Sequence, residues 1–212
     1  MPTANFNRIA PAYRWLEYAS FGHALEHCRC RLLPLLHDRR RALVLGDGDG
    51  RFLHHLLAEN STLHADAVDI SPAMLRLLAA RCKTARVTLH RADALTFTPP
   101  RTDYDCIVTH FFLDCLSTED CAALVPRLEQ YLAPDAVWIV SEFQVPPGLL
   151  RIPGALLIRA MYAGFRLLTG LRTQRLPAYE EALLSAGFEL VAEQSFLHGL
   201  LVSQAWQKPH PA

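Results

Sequence analysis

No stretch of this chain runs for 18 apolar residues without a charge, so nothing in it reads as a membrane-spanning helix. A surplus of either charge is also missing, because 21 lysines and arginines balance 21 aspartates and glutamates. Without a basic block there is no electrostatic footprint for nucleic acid. The opening Met1-Pro2-Thr3-Ala4-Asn5 lacks a charged region followed by an apolar core, so it does not read as a secretory signal. The six cysteines (Cys28, Cys30, Cys82, Cys106, Cys115 and Cys121) form no Cys-x-x-Cys pair and no zinc spacing. Several lie inside apolar runs, as buried thiols do, and the expectation is a reduced, cytoplasmic setting. His23, His27 and Cys30 share a helical face, but with no second ligand cluster no metal is expected. Internal repeats and low-complexity segments are lacking too. The chain therefore reads as a single domain, with only its last residues, from Lys208, loose.

What is present begins with Ala42-Leu43-Val44-Leu45-Gly46-Asp47-Gly48-Asp49-Gly50. Four strand-type residues run into three glycines at alternate positions, and Phe52, Leu53, Leu56 and Leu57 then follow at helical spacing. Glycine lets the backbone turn sharply and a ligand lie against it. A strand, a glycine turn and a helix N-terminus make a nucleotide-sized pocket at the carboxyl edge of a parallel sheet. The dinucleotide pattern Gly-x-Gly-x-x-Gly is absent: its sixth position is Arg51 counted from Gly46 and Leu53 counted from Gly48. Asp47 and Asp49 would also repel a phosphate. The turn suits a ligand with a cationic end, such as S-adenosylmethionine with its sulfonium and amino group.

Strand patterns recur at 42–46, 63–70, 86–90, 105–110 and 136–141, with helical periodicity near 51–59, 71–82 and 118–132. Ser71-Pro72 is a good helix start, an N-cap followed by proline at the first helical position. This alternation predicts a parallel sheet covered on both faces. The end breaks the rhythm. A helix over 177–186 stops at Gly187, and two strand patterns, 188–193 and 200–206, are joined by a short turn that requires antiparallel pairing.

A parallel sheet finished by a C-terminal hairpin, together with this glycine turn, resembles the class I S-adenosylmethionine-dependent methyltransferases over residues 5–145 and 177–207. The resemblance implies an α/β, Rossmann-like fold with a seven-stranded, mostly parallel sheet, and S-adenosylmethionine as cofactor. Gly46, Gly48 and Gly50 then lie under the methionine part of the cofactor. Asp69, closing the second strand, corresponds to the acid that binds the ribose hydroxyls, at about the interval expected after the glycines. The run from Asp69 and Ile70 through Ser71 to Met74 and Leu75 is family-like. Asp93-Ala94 corresponds to a pair beside the adenine. Thr109, past the fourth strand, is a further cofactor-side candidate. Family members commonly carry an acid two residues before the first glycine, where this chain has Val44; Asp47 or Asp49 stands as its replacement. Phe6-Asn7-Arg8-Ile9-Ala10-Pro11-Ala12-Tyr13, with Ser20-Phe21-Gly22, resembles the opening of the ubiquinone/menaquinone C-methyltransferase group. There residues 1–38 would form a helical cap over the cofactor, with Tyr13 near its methionine end.

Methyl transfer from a sulfonium is an in-line displacement, so the protein mainly supplies alignment. A base is needed only where the nucleophile must lose a proton. His110, just past the fourth strand, is the candidate base because imidazole titrates near neutrality. The competing reading is a structural histidine. Phe111, Asp114 and Glu142 are substrate-side candidates on the same edge, and Tyr162 and Arg166 come from the segment 149–176. That segment reads as a lid-like helical insertion, with Arg159 and Arg166 on one face. It either serves an apolar acceptor with peripheral membrane contact or simply buries its apolar side on the domain. The expected activity is methyl transfer to a small or medium hydrophobic acceptor, quinone-like or aromatic. The alternative is a non-catalytic or repurposed S-adenosylmethionine-binding protein on the same fold.

Overall fold

The structure, a computed structural model, describes residues 18, 21–170, 173 and 175–209. The expectation for Tyr13, like most of the expected N-terminal cap, lies outside the described residues. Seven strands form one sheet in the order β3-β2-β1-β4-β5-β7-β6. They are β1 (Arg41–Leu45), β2 (His64–Asp69), β3 (Val87–Arg91), β4 (Tyr104–His110), β5 (Leu132–Phe143), β6 (Glu189–Phe196) and β7 (Leu201–Gln207). β1 pairs in parallel with β2 and β4, as β3 does with β2 and β5 with β4. β7 runs antiparallel to both β5 and β6, which makes the expected terminal hairpin.

Each buried strand is apolar on both faces because helices cover both. On one side, Val44, Val108 and Ile139 pack with Phe52, Leu53, Leu56 and Leu57 of α2 (Arg51–Glu59). On the other, Leu43, Leu45, Ile107 and Trp138 pack with Leu124, Val125 and Leu128 of α4 (Thr118–Glu129). α1 (Ala24–Cys30) precedes β1, and α3 (Pro72–Arg81) follows β2. Ser71 caps α3 as its sequence suggests, with Oγ accepting the Met74 N–H at 3.2 Å. Ser117 and Asp120 form a reciprocal capping box at the start of α4. α5 (Arg151–Thr169) and α6 (Tyr179–Ser185) lie between β5 and β6.

The expected limits shift by three residues or more in three elements: α4 stops at Glu129 instead of 132, and β5 and β6 are longer than their sequence patterns. β5 begins at Leu132, four residues before the apolar run, because Tyr104 of β4 pairs there across a register shift. β6 extends to Phe196, following β7 as far as Leu201. Among the described residues no helix is long and apolar enough to cross a membrane.

Candidate functional site

The strand order reverses between β1 and β4, and the crevice at their carboxyl ends is where an open α/β sheet takes its ligand. Gly46 leaves β1 with φ +66°, and an added Cβ would stand 2.5 Å from Phe112 Cδ2. Gly50 caps α2 with φ +78°, and a Cβ there would reach the Leu78 backbone at 3.0 Å. Only glycine permits both the turn and the close approach of α2 to α3.

The missing acid at Val44 has a plain structural outcome. Val44 is buried among apolar neighbours in mid-sheet, where a carboxylate would have none of its partners. The two aspartates of the loop have separate fates. Asp49 is enclosed by guanidinium groups: Oδ1 accepts from Arg51 Nε at 2.9 Å and Oδ2 from Arg81 Nη2 at 2.8 Å. Its carbonyl oxygen also accepts from Arg81 Nε at 2.8 Å. Asp47 lines the same recess as Asp49 and Arg51, but among the described residues it has no guanidinium hydrogen bond of this kind; its Oδ2 accepts the Leu53 N–H at 3.0 Å. Burial pushes the Asp47 carboxyl up to about 7 against the opposing pull of the Leu53 N–H and of Arg29.

The same recess is lined by Gly46, Gly48, Arg29 and His110. Asp69 closes β2 beside it, where Oδ1 accepts the Ser71 N–H at 2.7 Å. Burial raises its carboxyl to about 6. Asp93 builds the turn after β3, accepting the Leu95 N–H at 3.0 Å. Ala94 is buried there and its carbonyl oxygen accepts from Arg127 of α4. Met74 is buried and Ile70 half-buried. Thr109 is turned to the opposite face of the sheet, fully buried with its hydroxyl accepting the Trp138 Nε1–H at 3.0 Å. That placement gives its side chain a core role.

Past β4 the chain makes a strained turn. Phe111 takes φ +51°, unusual for an aromatic residue, and such strain needs its surroundings to hold it. Glu142 of β5 supplies part of the hold: Oε1 accepts the N–H groups of Phe112 at 3.1 Å and Leu113 at 2.7 Å. The Phe111 ring lies 5.0 Å from the Arg29 guanidinium and 5.1 Å from the Phe143 ring. His110 is buried edge-on to Phe52, ring centroids 4.2 Å apart.

Four buried side-chain atoms here have no hydrogen-bond partner among the described residues: His110 Nδ1 and Nε2, Asp114 Oδ1 and Glu142 Oε2. Buried polar atoms are normally satisfied, so their grouping on one sheet edge makes that edge the candidate acceptor site. The reason given for His110 as a base needs correction. Burial, reinforced by Arg29, holds its pKa well below the ordinary value, so the ring is neutral rather than poised. The carboxyls shift the other way. Asp114 is raised to about 6 by burial. Glu142 is raised well above its ordinary value, first by burial and then by Asp114. Tyr162 reaches this edge from α5, its hydroxyl donating to the Asp114 carbonyl at 2.9 Å. Arg166 stands exposed on the same helix.

Sequence reasoning missed Arg29, Arg81 and Phe52 as parts of this region. Phe52 carried a signal in its place one residue after the glycine turn's helix start. Arg29 and Arg81 carried none, being brought in by packing alone.

The residues present suit S-adenosylmethionine. A half-buried carboxylate at Asp47 can face its ammonium, Arg29 its carboxylate, and Asp69 its ribose hydroxyls. Residues 43–138 match the family model described as a methyltransferase domain. The chain is 37% identical over 124 residues to a trans-aconitate 2-methyltransferase of Methylobacterium radiotolerans, covering 58% of this chain and 44% of that protein. It is 32% identical over 119 residues to polyamine aminopropyltransferase 2 of Bacillus cereus, covering 50% of this chain and 32% of that protein. The chain thus spans about a third to under half of the length of these curated relatives. Its fold is similar to that of the 1,6-didemethyltoxoflavin-N1-methyltransferase of Burkholderia thailandensis, solved with 1,6-didemethyltoxoflavin and S-adenosylhomocysteine bound. The TM-score is 0.64 at 18% identity, over 94% of this chain and 84% of that one. Sheet order and glycine turn give the chain a Rossmann-like fold similar to that of S-adenosylmethionine-dependent methyltransferases, and residues 43–138 match a methyltransferase-domain model.

Proposed function

We propose that this protein transfers a methyl group from S-adenosylmethionine to a small or medium hydrophobic acceptor, aromatic or quinone-like, in the cytoplasm. The observation that carries the reading is the recess shared by Gly46, Asp47, Arg29 and His110, with Asp69 closing the neighbouring strand. When bound, the cofactor supplies an electrophilic methyl on sulfur. Asp47 and Arg29 hold its amino-acid end, Asp69 its ribose, and the Asp93–Ala94 turn lies at the adenine end. The acceptor occupies the sheet edge where Phe111, Phe143 and Tyr162 offer apolar surface and His110, Asp114 and Glu142 offer unsatisfied polar atoms. Neutral His110 orients the acceptor by a hydrogen bond. Asp114, raised toward neutrality, takes the proton that an O–H or N–H nucleophile must release. The six unpaired cysteines suit a reducing compartment. The N-terminal motif supports kinship with the quinone C-methyltransferase group, and the aromatic acceptor named for the toxoflavin enzyme supports an acceptor of similar kind.

The test is calorimetry with S-adenosylmethionine, followed by detection of S-adenosylhomocysteine across a panel of phenols, quinols and N-heterocycles. We expect binding that Asp69→Ala weakens strongly and Thr109→Val leaves nearly intact. Absence of binding at millimolar cofactor overturns the reading.

A second reading is transfer of a larger group on the same fold, favoured by the similarity to an aminopropyltransferase. The position of Arg29 in the recess argues for a donor that keeps its carboxylate. Mass spectrometry of the modified acceptor separates a methyl from an aminopropyl increment.

A further inference from the structure

α5 stands apart in composition and in how little of itself it buries. Between Glu142 and Glu180 the chain carries no acidic residue and no lysine, but five arginines: Arg151, Arg159, Arg166, Arg172 and Arg175. The helix rests on the domain along a narrow stripe of Gly154, Ile158 and Tyr162. Tyr162 bonds to the Asp114 carbonyl, and Ile158 and Tyr162 pack with Leu200. An added Cβ at Gly154 would stand 2.4 Å from Pro146 Cδ, so the start of the helix sits tight against the domain.

The outer side is apolar instead of polar. Ile152, Leu156, Ala160, Ala163 and Leu167 recur at intervals of three and four, which sets them on one face, and all are exposed. Leu167 is 87% exposed and Ile152 73%, while Leu149, just before the helix, is 99% exposed. Arg159 and Arg166 border this face and are exposed as well. A water-facing helix places charge on its outer side. An exposed leucine face bordered by arginines is the pattern of a helix that lies in the plane of an anionic bilayer surface.

We infer that α5 docks this protein on an anionic lipid surface, with Ile152, Leu156 and Leu167 entering the headgroup boundary and the arginines meeting lipid phosphates. Charge decides between a membrane and a second copy of the chain. Pairing α5 with itself would bring arginine-bordered faces together with no carboxylate in either segment, whereas anionic headgroups neutralise them. At about 1.5 Å per residue the helix lies roughly 28 Å along the surface. Its inner side touches the sheet edge that holds His110, Asp114 and Glu142, so a hydrophobic acceptor leaving the bilayer would enter there. The docking itself does not depend on the methyl-transfer reading.

The experiment is flotation of the full chain with vesicles of phosphatidylcholine alone and of phosphatidylcholine mixed with phosphatidylglycerol. Two variants accompany it, Ile152→Gln/Leu156→Gln/Leu167→Gln and Arg151→Gln/Arg159→Gln, each checked for an unchanged thermal midpoint and unchanged S-adenosylmethionine binding. The expected result is binding to the anionic vesicles that weakens with salt, and that falls about tenfold or more in each variant. Three results overturn the inference: no association of the wild type with anionic vesicles, equal association with neutral ones, or undiminished association of the leucine variant. A dimer in sedimentation equilibrium that the leucine variant splits assigns the face to a second copy and also overturns it. Failure of methyl transfer with intact vesicle binding would count against the proposed reaction and not against the docking.

Discussion

Arg81 donates twice to Asp49, from Nε to the carbonyl oxygen and from Nη2 to the carboxylate, each at 2.8 Å. One guanidinium at the end of α3 thereby fixes both backbone and side chain of the glycine turn 32 residues earlier. Asp49 is nearly buried, so removing one of its two arginines leaves a carboxylate oxygen and a carbonyl without their donor. Arg81→Met should destabilise the fold by about 1–3 kcal/mol and weaken cofactor binding through the displaced loop. Chemical denaturation with an unchanged m-value and calorimetry check the two parts.

Cofactor affinity should rise with pH between about 5.5 and 8. Asp69, raised to about 6, and Asp47, raised to about 7, must both be ionised to accept ribose hydroxyls and to face an ammonium. Below those values protons compete with the cofactor, and binding expels them. Calorimetry in two buffers of different ionisation enthalpy should show proton release that is largest near pH 6 and fades as pH passes 7 toward 8. Asp69→Asn should remove the component near 6. An affinity independent of pH would contradict both assignments.

Gly46→Ala and Gly187→Ala make a matched pair. Both positions have positive φ, so each substitution meets the left-handed penalty of about 1–2 kcal/mol. At Gly187 nothing lies within 4 Å of the added Cβ, whereas at Gly46 it meets Phe112 at 2.5 Å. The Gly46 variant should therefore lose more stability, and it alone should lose cofactor affinity. Thermal unfolding with and without S-adenosylmethionine gives both readings.

Glu142 separates shape from charge. Glu142→Gln keeps an oxygen for the Phe112 and Leu113 N–H groups and should fold normally; Glu142→Leu strands both donors and should cost about 1–3 kcal/mol for each. The raised Glu142 pKa gives the sign of the pH effect. Its contribution is fully present below its ordinary value of 4.5 and is lost as pH climbs toward the folded value. Wild-type stability should thus decline relative to Glu142→Gln between acidic and neutral pH. In the Gln variant the Asp114 carboxyl should keep its titration near 6, since Glu142 is still protonated where Asp114 ionises, which carbon-detected NMR can follow.

The elements that were legible in the sequence are those made by local rules. The β1 run, the glycine turn and the start of α2 follow from strand composition, glycine spacing and helical period within a dozen residues. Ser71-Pro72 marks a helix start through a hydrogen bond to the residue three positions on. The site is different because its contacts join distant segments. Arg29 reaches the recess from α1, and Glu142 holds a turn some thirty residues earlier. No pattern of period two or 3.6 encodes such a meeting.

The sequence by itself determined the alternation of strands and helices, the glycine turn and the antiparallel ending, because hydrophobic period and glycine conformation act locally. Tertiary structure alone decided the rest. It enclosed Asp49 between two arginines and gave the Asp47 carboxylate a backbone N–H instead. It turned Thr109 to the far face of the sheet, since side chains alternate along a strand. It buried His110 until its ring lost the charge that its ordinary pKa would allow. Which side of α5 met the domain was also decided there, and that choice left the leucines outside.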